Sequence, residues 1–195
     1  MSLPRPSDRP RLEELEESAR RILLALGEDP DREGLEATPR RVARSLLDLT
    51  DGYGTDIHVL ARGALYAHEG TDPVTIRDIP FYSLCEHHLL PMFGRCHIGY
   101  VPSGRVLGLS KLPRIVDAFA HRLQLQERMT KEIAEALNEA VTPKGVGVVV
   151  EARHLCMEMR GVQKPGGQLI TSCMLGTFRK DPRTRAEFLE LVRRP

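Results

Sequence analysis

The sequence lacks the long apolar stretch that a membrane-spanning helix requires. Residues 1–11 are polar and rich in proline, without the apolar core of a signal peptide. Hydrophobic residues make up 41% of the 195 positions, which is ordinary for a globular protein. The formal net charge is only +1, so overall charge gives no general attraction to nucleic acid or to membranes. We therefore expect a cytoplasmic protein with neither a nucleic-acid nor a membrane partner.

Several nucleotide and hydrolase motifs are also missing. No G-x-x-x-x-G-K-[ST] phosphate loop occurs, and no G-x-G-x-x-G follows a predicted strand, which disfavours P-loop and Rossmann sites. The G-x-S-x-G nucleophile elbow and the cytidine-deaminase signature are absent too. Four cysteines in a chain of this length do not make a disulfide framework, so in a reducing cytosol their thiols remain available for a metal.

The candidate metal ligands are Cys85 and His88, which lie three residues apart, and the distant Cys156. One tight turn can bring the first two side chains to a single ion, and zinc binds both thiolate and imidazole. Three protein ligands leave a position for water, which favours a catalytic site over a structural one. The spacing alone is a weak signal, because free cysteines are commonly small buried apolar residues. The wide gap to Cys156 is also unlike a zinc finger.

Hydrophobic periodicity predicts two N-terminal helices. The first has its apolar face between residues 12 and 26 and ends at Gly27. The second begins at Thr38-Pro39, with Thr38 as the capping residue, and ends before Gly52. Arg41 lies in a basic run of its first turns, which the pattern alone assigns to a solvated face, although helix starts also bind anions.

The rest of the chain alternates pairs of strands and pairs of helices. Residues 53–73 are predicted as loop with at most one short strand. Strands are predicted at Val74–Tyr82, Phe93–Val101, Gly145–Met159 and Gln168–Phe178. Two helices, the first capped by Ser110, separate the second strand from the third, and a short helix follows Asp181-Pro182. Alternation along the third strand would place Cys156, Glu158 and Arg160 on the same face as His154.

This order of elements predicts an α+β fold. We expect an antiparallel four-stranded sheet with two long helices on one face, preceded by an N-terminal helical pair. The whole chain, 1–195, is predicted to be a single domain. Within it we expect a flexible arm at 1–10, the N-terminal helices at 11–54 and the catalytic core at 72–195.

From about Gly34 onward the sequence resembles type I GTP cyclohydrolase. The matching segments are long and ordered: TPRRVA at 38–43, CEHHLLP at 85–91, GLSKLPRIV at 108–116, RLQLQERMTKEIA at 122–134 and GVGVVVEARHLCMEMRGV at 145–162. The resemblance implies the tunnelling fold, in which subunits join their sheets into a barrel. It also implies a toroidal homodecamer with active sites between subunits.

The resemblance assigns roles to individual residues. It implies one zinc ion per subunit, bound by Cys85, His88 and Cys156. Acid–base roles fall on His87 and His154. Contacts to guanine fall on Glu127 and its neighbour Gln126. Positions near the ribose and triphosphate are Ser110, Lys111, Arg114, Arg160 and Arg41.

The implied reaction is the zinc-dependent conversion of GTP to 7,8-dihydroneopterin triphosphate and formate, the first step of tetrahydrofolate and pterin biosynthesis. One alternative is a related tunnelling-fold enzyme acting on another purine or pterin, such as the nitrile reductase of queuosine synthesis. A second is an inactive, zinc-stabilised binding protein. Iron or cobalt can also occupy such ligands.

Overall fold

The computed structural model describes residues 12–193, and the arm predicted at residues 1–10 lies outside this range. The helices are α1 (Leu12–Ala25), α2 (Thr38–Asp48), α3 (Ile57–Ala61), α4 (Lys111–Ala120), α5 (Gln126–Val141), α6 (Leu155–Glu158), α7 (Thr177–Lys180) and α8 (Pro182–Val192). The strands are β1 (Leu65–Ala67), β2 (Val74–Cys85), β3 (Pro91–Val101), β4 (Arg105–Leu107), β5 (Leu123–Gln124), β6 (Gly145–His154) and β7 (Leu169–Gly176). No helix in the described range is both long and apolar enough to cross a membrane.

The main sheet has the strand order β5-β2-β3-β6-β7. The pairs β2–β3, β3–β6 and β6–β7 are antiparallel, so the predicted α+β class and antiparallel sheet are confirmed. The prediction of four strands missed β5, which pairs in parallel with the end of β2. A two-residue strand is too short to produce a periodic pattern in the sequence. The predicted loop at 53–73 contains α3 and β1, and β1 pairs with β4.

Helices α4 and α5 cover one face of this sheet. Their buried side chains pack against alternate strand residues in one apolar cluster, which includes Leu112, Ile115, Met129, Ile133, Ile98 and Val148. Fully burying a side chain of this size stabilises the fold by roughly 1.5–3 kcal/mol. This cluster is the main core, and it fixes α5 against the strands that carry the candidate site.

A smaller apolar cluster lies on the opposite face of the sheet, where α8 packs. Phe188 of α8 meets Phe178 edge-on, with ring centroids 5.4 Å apart. Both rings pack with Val101 and Val149. Because side chains alternate along a strand, Val149 faces α8 while its neighbour Val148 faces the main core. The strands are therefore covered on both faces at this end of the sheet.

Strand β6 ends at His154, earlier than the predicted end at Met159. Its last partner on β3 is Met92. The residue before Met92 is Pro91, which has no N–H to donate to a further pair. The ladder between β3 and β6 therefore stops at His154.

The chain continues from β6 into the single helical turn of α6. The Met159 N–H donates to Leu155 O at 3.0 Å, which closes this turn. The prediction that Cys156, Glu158 and Arg160 continue one face of a strand is therefore wrong. Helical geometry, with about 3.6 residues per turn, instead turns the side chain of Glu158 away from that of Cys156.

The predicted N-terminal helical pair is formed by α1 and α2, with Arg40 Nη1 3.8 Å from Glu16 Oε2. Helix α2 begins at Thr38 as expected, but Thr38 does not cap it. Ala37 occupies the N-cap position in a nearly helical conformation, and no side chain caps the helix. The reason is local, since the preceding residues already turn and the Thr38 N–H donates to Leu35 O at 2.8 Å.

Candidate metal centre and active site

The turn between β2 and β3, residues 85–90, is called the metal turn below. The Cys85 carbonyl accepts hydrogen bonds from the His88 N–H at 3.3 Å and from the Leu89 N–H at 2.9 Å. The Cys85 N–H donates to Leu90 O at 2.9 Å, and Leu89 closes the turn with a left-handed φ of +55°. Cys85 Sγ consequently lies 3.7 Å from His88 Nδ1.

Cys156 of α6 brings a third ligand to this pair. Because β3 lies between β2 and β6, the end of β2 and the residues after β6 meet beside the start of β3. One ligand atom each from Cys85, His88 and Cys156 lie within 4.8 Å of one another. Zinc bonds of about 2.3 Å to sulfur and 2.0 Å to nitrogen separate tetrahedral ligand atoms by about 3.5–3.8 Å. The three donors therefore fit one ion after small side-chain adjustments. Within residues 12–193 no second group of this kind occurs.

The surroundings of Cys156 favour its neutral thiol over the thiolate. Burial raises the pKa of Cys156, a hydrogen bond with Cys85 raises it further, and the positive charge of Arg160 acts in the opposite direction. Metal ions bind the thiolate, so binding at this group releases protons. Arg160 follows α6, four residues after Cys156.

An ion pair that the sequence analysis did not anticipate joins the metal turn to α5. The Glu86 carboxylate accepts a hydrogen bond from Arg128 Nη2. Arg128 Nε also donates to Gln124 Oε1 at 3.0 Å, and the Glu86 N–H donates to Gln124 O at 3.1 Å. The partners are 42 residues apart, so no local pattern in the sequence reveals the contact.

His154 lies at the end of β6, half-buried beside the start of α5. Its Nε2 is 2.8 Å from Gln126 Oε1. Burial lowers the pKa of His154, and the negative charge of Glu127 partly opposes this effect. The imidazole is therefore neutral near pH 7 and able to accept a proton.

His87 and Glu127 are both accessible to a small molecule. The side chain of His87 is 62% exposed, and its Nε2 lies 4.0 Å from Glu86 Oε1. Its ring meets that of His88 edge-on, with centroids 6.1 Å apart. Glu127 is exposed in the first turn of α5, next to the buried Gln126.

The remaining predicted binding residues are arranged around α2, α4 and α6. Ser110 precedes α4, and its hydroxyl makes no capping hydrogen bond, contrary to the predicted capping role. Lys111 and Arg114 lie in the first turns of α4, and Arg41 is exposed on α2. In residues 12–193 no hydrogen bond or ion pair joins these four side chains to the metal ligands. The structure thus brings together the three metal ligands, with His154 two residues before Cys156, and the predicted roles of these four side chains remain predictions.

An antiparallel sheet flanked by helices, with a Cys–His–Cys group at one end, defines an α+β protein with a candidate metal-dependent active site. The chain belongs to the GTP cyclohydrolase I family, because the model of that family matches residues 15–193. The resemblance noted in the sequence is thereby confirmed.

Individual relatives are similar over nearly the whole chain. The GTP cyclohydrolase 1 of Coxiella burnetii is 57% identical over 173 residues, 89% of this chain and 94% of that protein. That of Leptospira biflexa is 55% identical, over 88% and 94% of the two chains. That of Deinococcus radiodurans is 51% identical, over 98% of this chain and 91% of that protein. Among solved structures, the apo archaeosine synthase QueF-Like matches 55% of this chain and 97% of its own, with a TM-score of 0.47 and 20% identity.

Proposed function

We propose that the protein converts GTP and one net molecule of water to 7,8-dihydroneopterin triphosphate and formate, the first step of tetrahydrofolate and pterin biosynthesis. The observation that carries the proposal is the group of Cys85, His88 and Cys156, whose ligand atoms lie within 4.8 Å of one another beside His154. Membership of the GTP cyclohydrolase I family and the names of the similar proteins support the same activity.

Zinc is the metal we propose for this group, with one ion per subunit. Two thiolates and one imidazole suit zinc, and three protein ligands leave a position for water or substrate. When bound, the ion supplies a Lewis acid that makes water a stronger nucleophile near neutral pH. Iron and cobalt accept similar ligands, so metal analysis of the purified protein decides among the three.

His154 and His87 are the proposed proton carriers. Opening the five-membered ring of guanine and releasing its C8 atom as formate both require proton transfer to nitrogen. Burial lowers the pKa of His154 and so favours its neutral form, which has one ring nitrogen without hydrogen with which to accept a proton. His87, exposed in the metal turn, can exchange protons with solvent.

Glu127 is the proposed recognition residue for guanine. Its carboxylate can accept hydrogen bonds from the N1–H and the 2-amino group, a donor pair that adenine does not present. Adenine would leave this carboxylate without those hydrogen bonds, so Glu127 would favour guanine over adenine. Glu127 stands at the first turn of α5, where it also influences His154.

Arg160, Arg114, Arg41 and Lys111 are proposed to bind the triphosphate, with the Ser110 hydroxyl near the ribose. Arginine suits phosphate because its paired donors match two oxygens at once. The triphosphate is not cleaved in the reaction. Its binding energy instead positions the base at the reacting groups.

We further propose that the subunits form a homo-oligomer, a toroidal decamer of the tunnelling fold with active sites between subunits. In the described residues β5 pairs with β2 only at Leu84 and Cys85, and β7 forms the other edge of the sheet. Strand edges pair readily with other strands. Arg41 would then serve a neighbouring subunit. The chain, 1–195, is proposed to be a single cytoplasmic domain without nucleic-acid or membrane partners.

The decisive experiment counts zinc in the purified protein and then incubates it with GTP under reducing conditions. Formate and the pterin chromophore should appear together, disappear on chelation and return with zinc. A zinc-loaded protein that leaves GTP untouched would favour the inactive zinc-stabilised binding protein, or an enzyme acting on another purine.

A further inference from the structure

Gln126, the first residue of α5, is a polar side chain enclosed in the core and only 1% exposed. Its side-chain nitrogen lies 3.0 Å from Val150 O, 2.9 Å from Leu169 O and 3.1 Å from Thr171 Oγ1. The two carbonyl oxygens can only accept hydrogen bonds. The NH₂ group of Gln126 must therefore face them, and its oxygen must face the other way.

The oxygen of Gln126 faces the ring of His154, with Nε2 at 2.8 Å. Because an amide oxygen only accepts, Nε2 carries the hydrogen and donates it. In a neutral imidazole the other nitrogen, Nδ1, then has no hydrogen and is the basic atom. No described residue forms a hydrogen bond with Nδ1 of His154, so this nitrogen remains available to the reacting groups.

Two threonine hydroxyls hold Gln126 in this orientation. Thr130 Oγ1 donates to the backbone oxygen of Gln126 at 2.7 Å. Its only hydrogen is then used, so the Thr171 hydroxyl donates to Thr130 Oγ1 at 2.7 Å, and Thr171 Oγ1 lies 3.1 Å from the Gln126 side-chain nitrogen. Reversing the amide would set its oxygen against two carbonyls, and an unpaired buried polar group costs about 1–3 kcal/mol.

We propose that Gln126 is a positioning residue that holds His154 in the tautomer with hydrogen on Nε2, so that Nδ1 is the ring nitrogen without a hydrogen. The inference rests on the proposed function, in which His154 carries protons. It differs from the guanine contact that the resemblance implied for Gln126, because both ends of the amide already bond to the protein.

The kinetic test replaces Gln126 by methionine, which keeps the length of the side chain and removes the amide. We expect kcat to fall about 10- to 100-fold, less than the roughly 10²- to 10⁴-fold loss expected when the acid–base group itself is removed, with KM for GTP and zinc content unchanged. An unchanged kcat would overturn the proposal. A raised KM with kcat retained would also overturn it and return Gln126 to guanine binding.

A matched control is Tyr100→Phe, which removes a different buried hydrogen bond, from the Leu107 N–H to the Tyr100 hydroxyl at 3.1 Å. This variant should keep kcat within about twofold. The lost hydrogen bond contributes as modestly to the free energy of unfolding as one of those made by Gln126, but it does not involve His154. An equal loss of kcat in Tyr100→Phe would mean that the effect at Gln126 is only a loss of stability, and it would overturn the positioning role.

The direct test is ¹⁵N NMR of the zinc-loaded protein labelled on histidine, at a pH of about 8, above the ordinary imidazole pKa. The His154 signals are assigned by their loss in His154→Asn. Two-bond correlations to the ring protons should place the hydrogen on Nε2, and a hydrogen on Nδ1 would overturn the proposal. This measurement needs neither turnover nor a folded Gln126 variant. An absence of GTP turnover would therefore refute the proposed function separately from the tautomer.

Discussion

Glu86 in the metal turn and Arg128 in the first turns of α5 form an ion pair, and Arg128 also bonds to Gln124. The pair connects the turn that supplies two metal ligands to the helix that carries Glu127. The side chains of Glu86 and Arg128 are 28% and 41% exposed. Solvent screening should therefore limit the contribution of the pair to the free energy of unfolding to about 1 kcal/mol or less. Its larger effect should be on the metal.

Glu86→Gln should weaken zinc binding about tenfold, because contacts that orient metal ligands typically contribute 10- to 100-fold in affinity. Competition with a chromophoric chelator measures the change. The matched control is Glu135→Gln, which breaks the exposed Lys131–Glu135 pair on the same helix and should leave zinc affinity unaltered. Equal zinc affinity in wild type and Glu86→Gln would show that the pair does not orient the metal turn.

Cys156→Ser should abolish zinc retention and GTP turnover together, because it removes a thiolate from a group of only three ligands. Zinc content after dialysis and formate release measure the two effects. Cys173→Ser is the control, since this half-buried thiol lies outside the group and should change neither quantity. A metal-free Cys156→Ser protein with normal turnover would refute the ligand assignment.

His154→Ala should lower kcat without changing zinc content. His154 is two residues from a ligand but does not belong to the group, so zinc should remain bound while kcat falls about 10²- to 10⁴-fold. Zinc analysis and steady-state kinetics on one preparation provide both numbers. Retention of full kcat would remove His154 from the mechanism.

Much of this site could be predicted from the sequence, and the reasons are local. Cys85 and His88 share one short turn, and the long matching segments identify Cys156 at a distance. The regular spacing of apolar residues predicts helices α4 and α5, and these apolar residues pack into a single core. These features depend on nearby residues or on extended motifs, so the sequence displays them directly.

Other features depend on partners that the local sequence does not name. The end of β6 at His154 depends on Pro91 of another strand, so alternation within residues 145–159 could not reveal it. The role of Gln126 depends on two carbonyl groups from β6 and β7. Even a strong motif therefore placed Gln126 beside the substrate without showing what its amide contacts.

Arg160→Ala should raise KM for GTP about 10- to 100-fold with little change in kcat, since a hydrogen bond to a charged group contributes roughly 1.5–3 kcal/mol. Initial rates over a range of GTP concentrations separate the two constants. Arg193→Ala removes an exposed arginine after α8 and serves as the control with unchanged constants. If KM is the same in Arg160→Ala and wild type, Arg160 does not bind the triphosphate.

Gly147→Ala should destabilise the protein without touching the site. Gly147 pairs with Gly99 across β6 and β3. A Cβ on Gly147 would lie 2.9 Å from Phe188 Cε1 and 3.1 Å from Met174 Sδ. Phe188 is buried, with 1% of its surface exposed, so overpacking against its ring should cost about 1–3 kcal/mol. The midpoint of urea denaturation measures the loss.

Two further variants test whether this cost comes from the aromatic ring. Gly54→Ala is the matched control, because its Cβ would meet nothing within 4 Å, and we expect no loss of stability. Phe188→Leu in the Gly147→Ala background should recover part of the lost stability, since the smaller side chain vacates the space that the new methyl needs. If Gly147→Ala is as stable as wild type, then α8 does not pack on this face of the sheet as described.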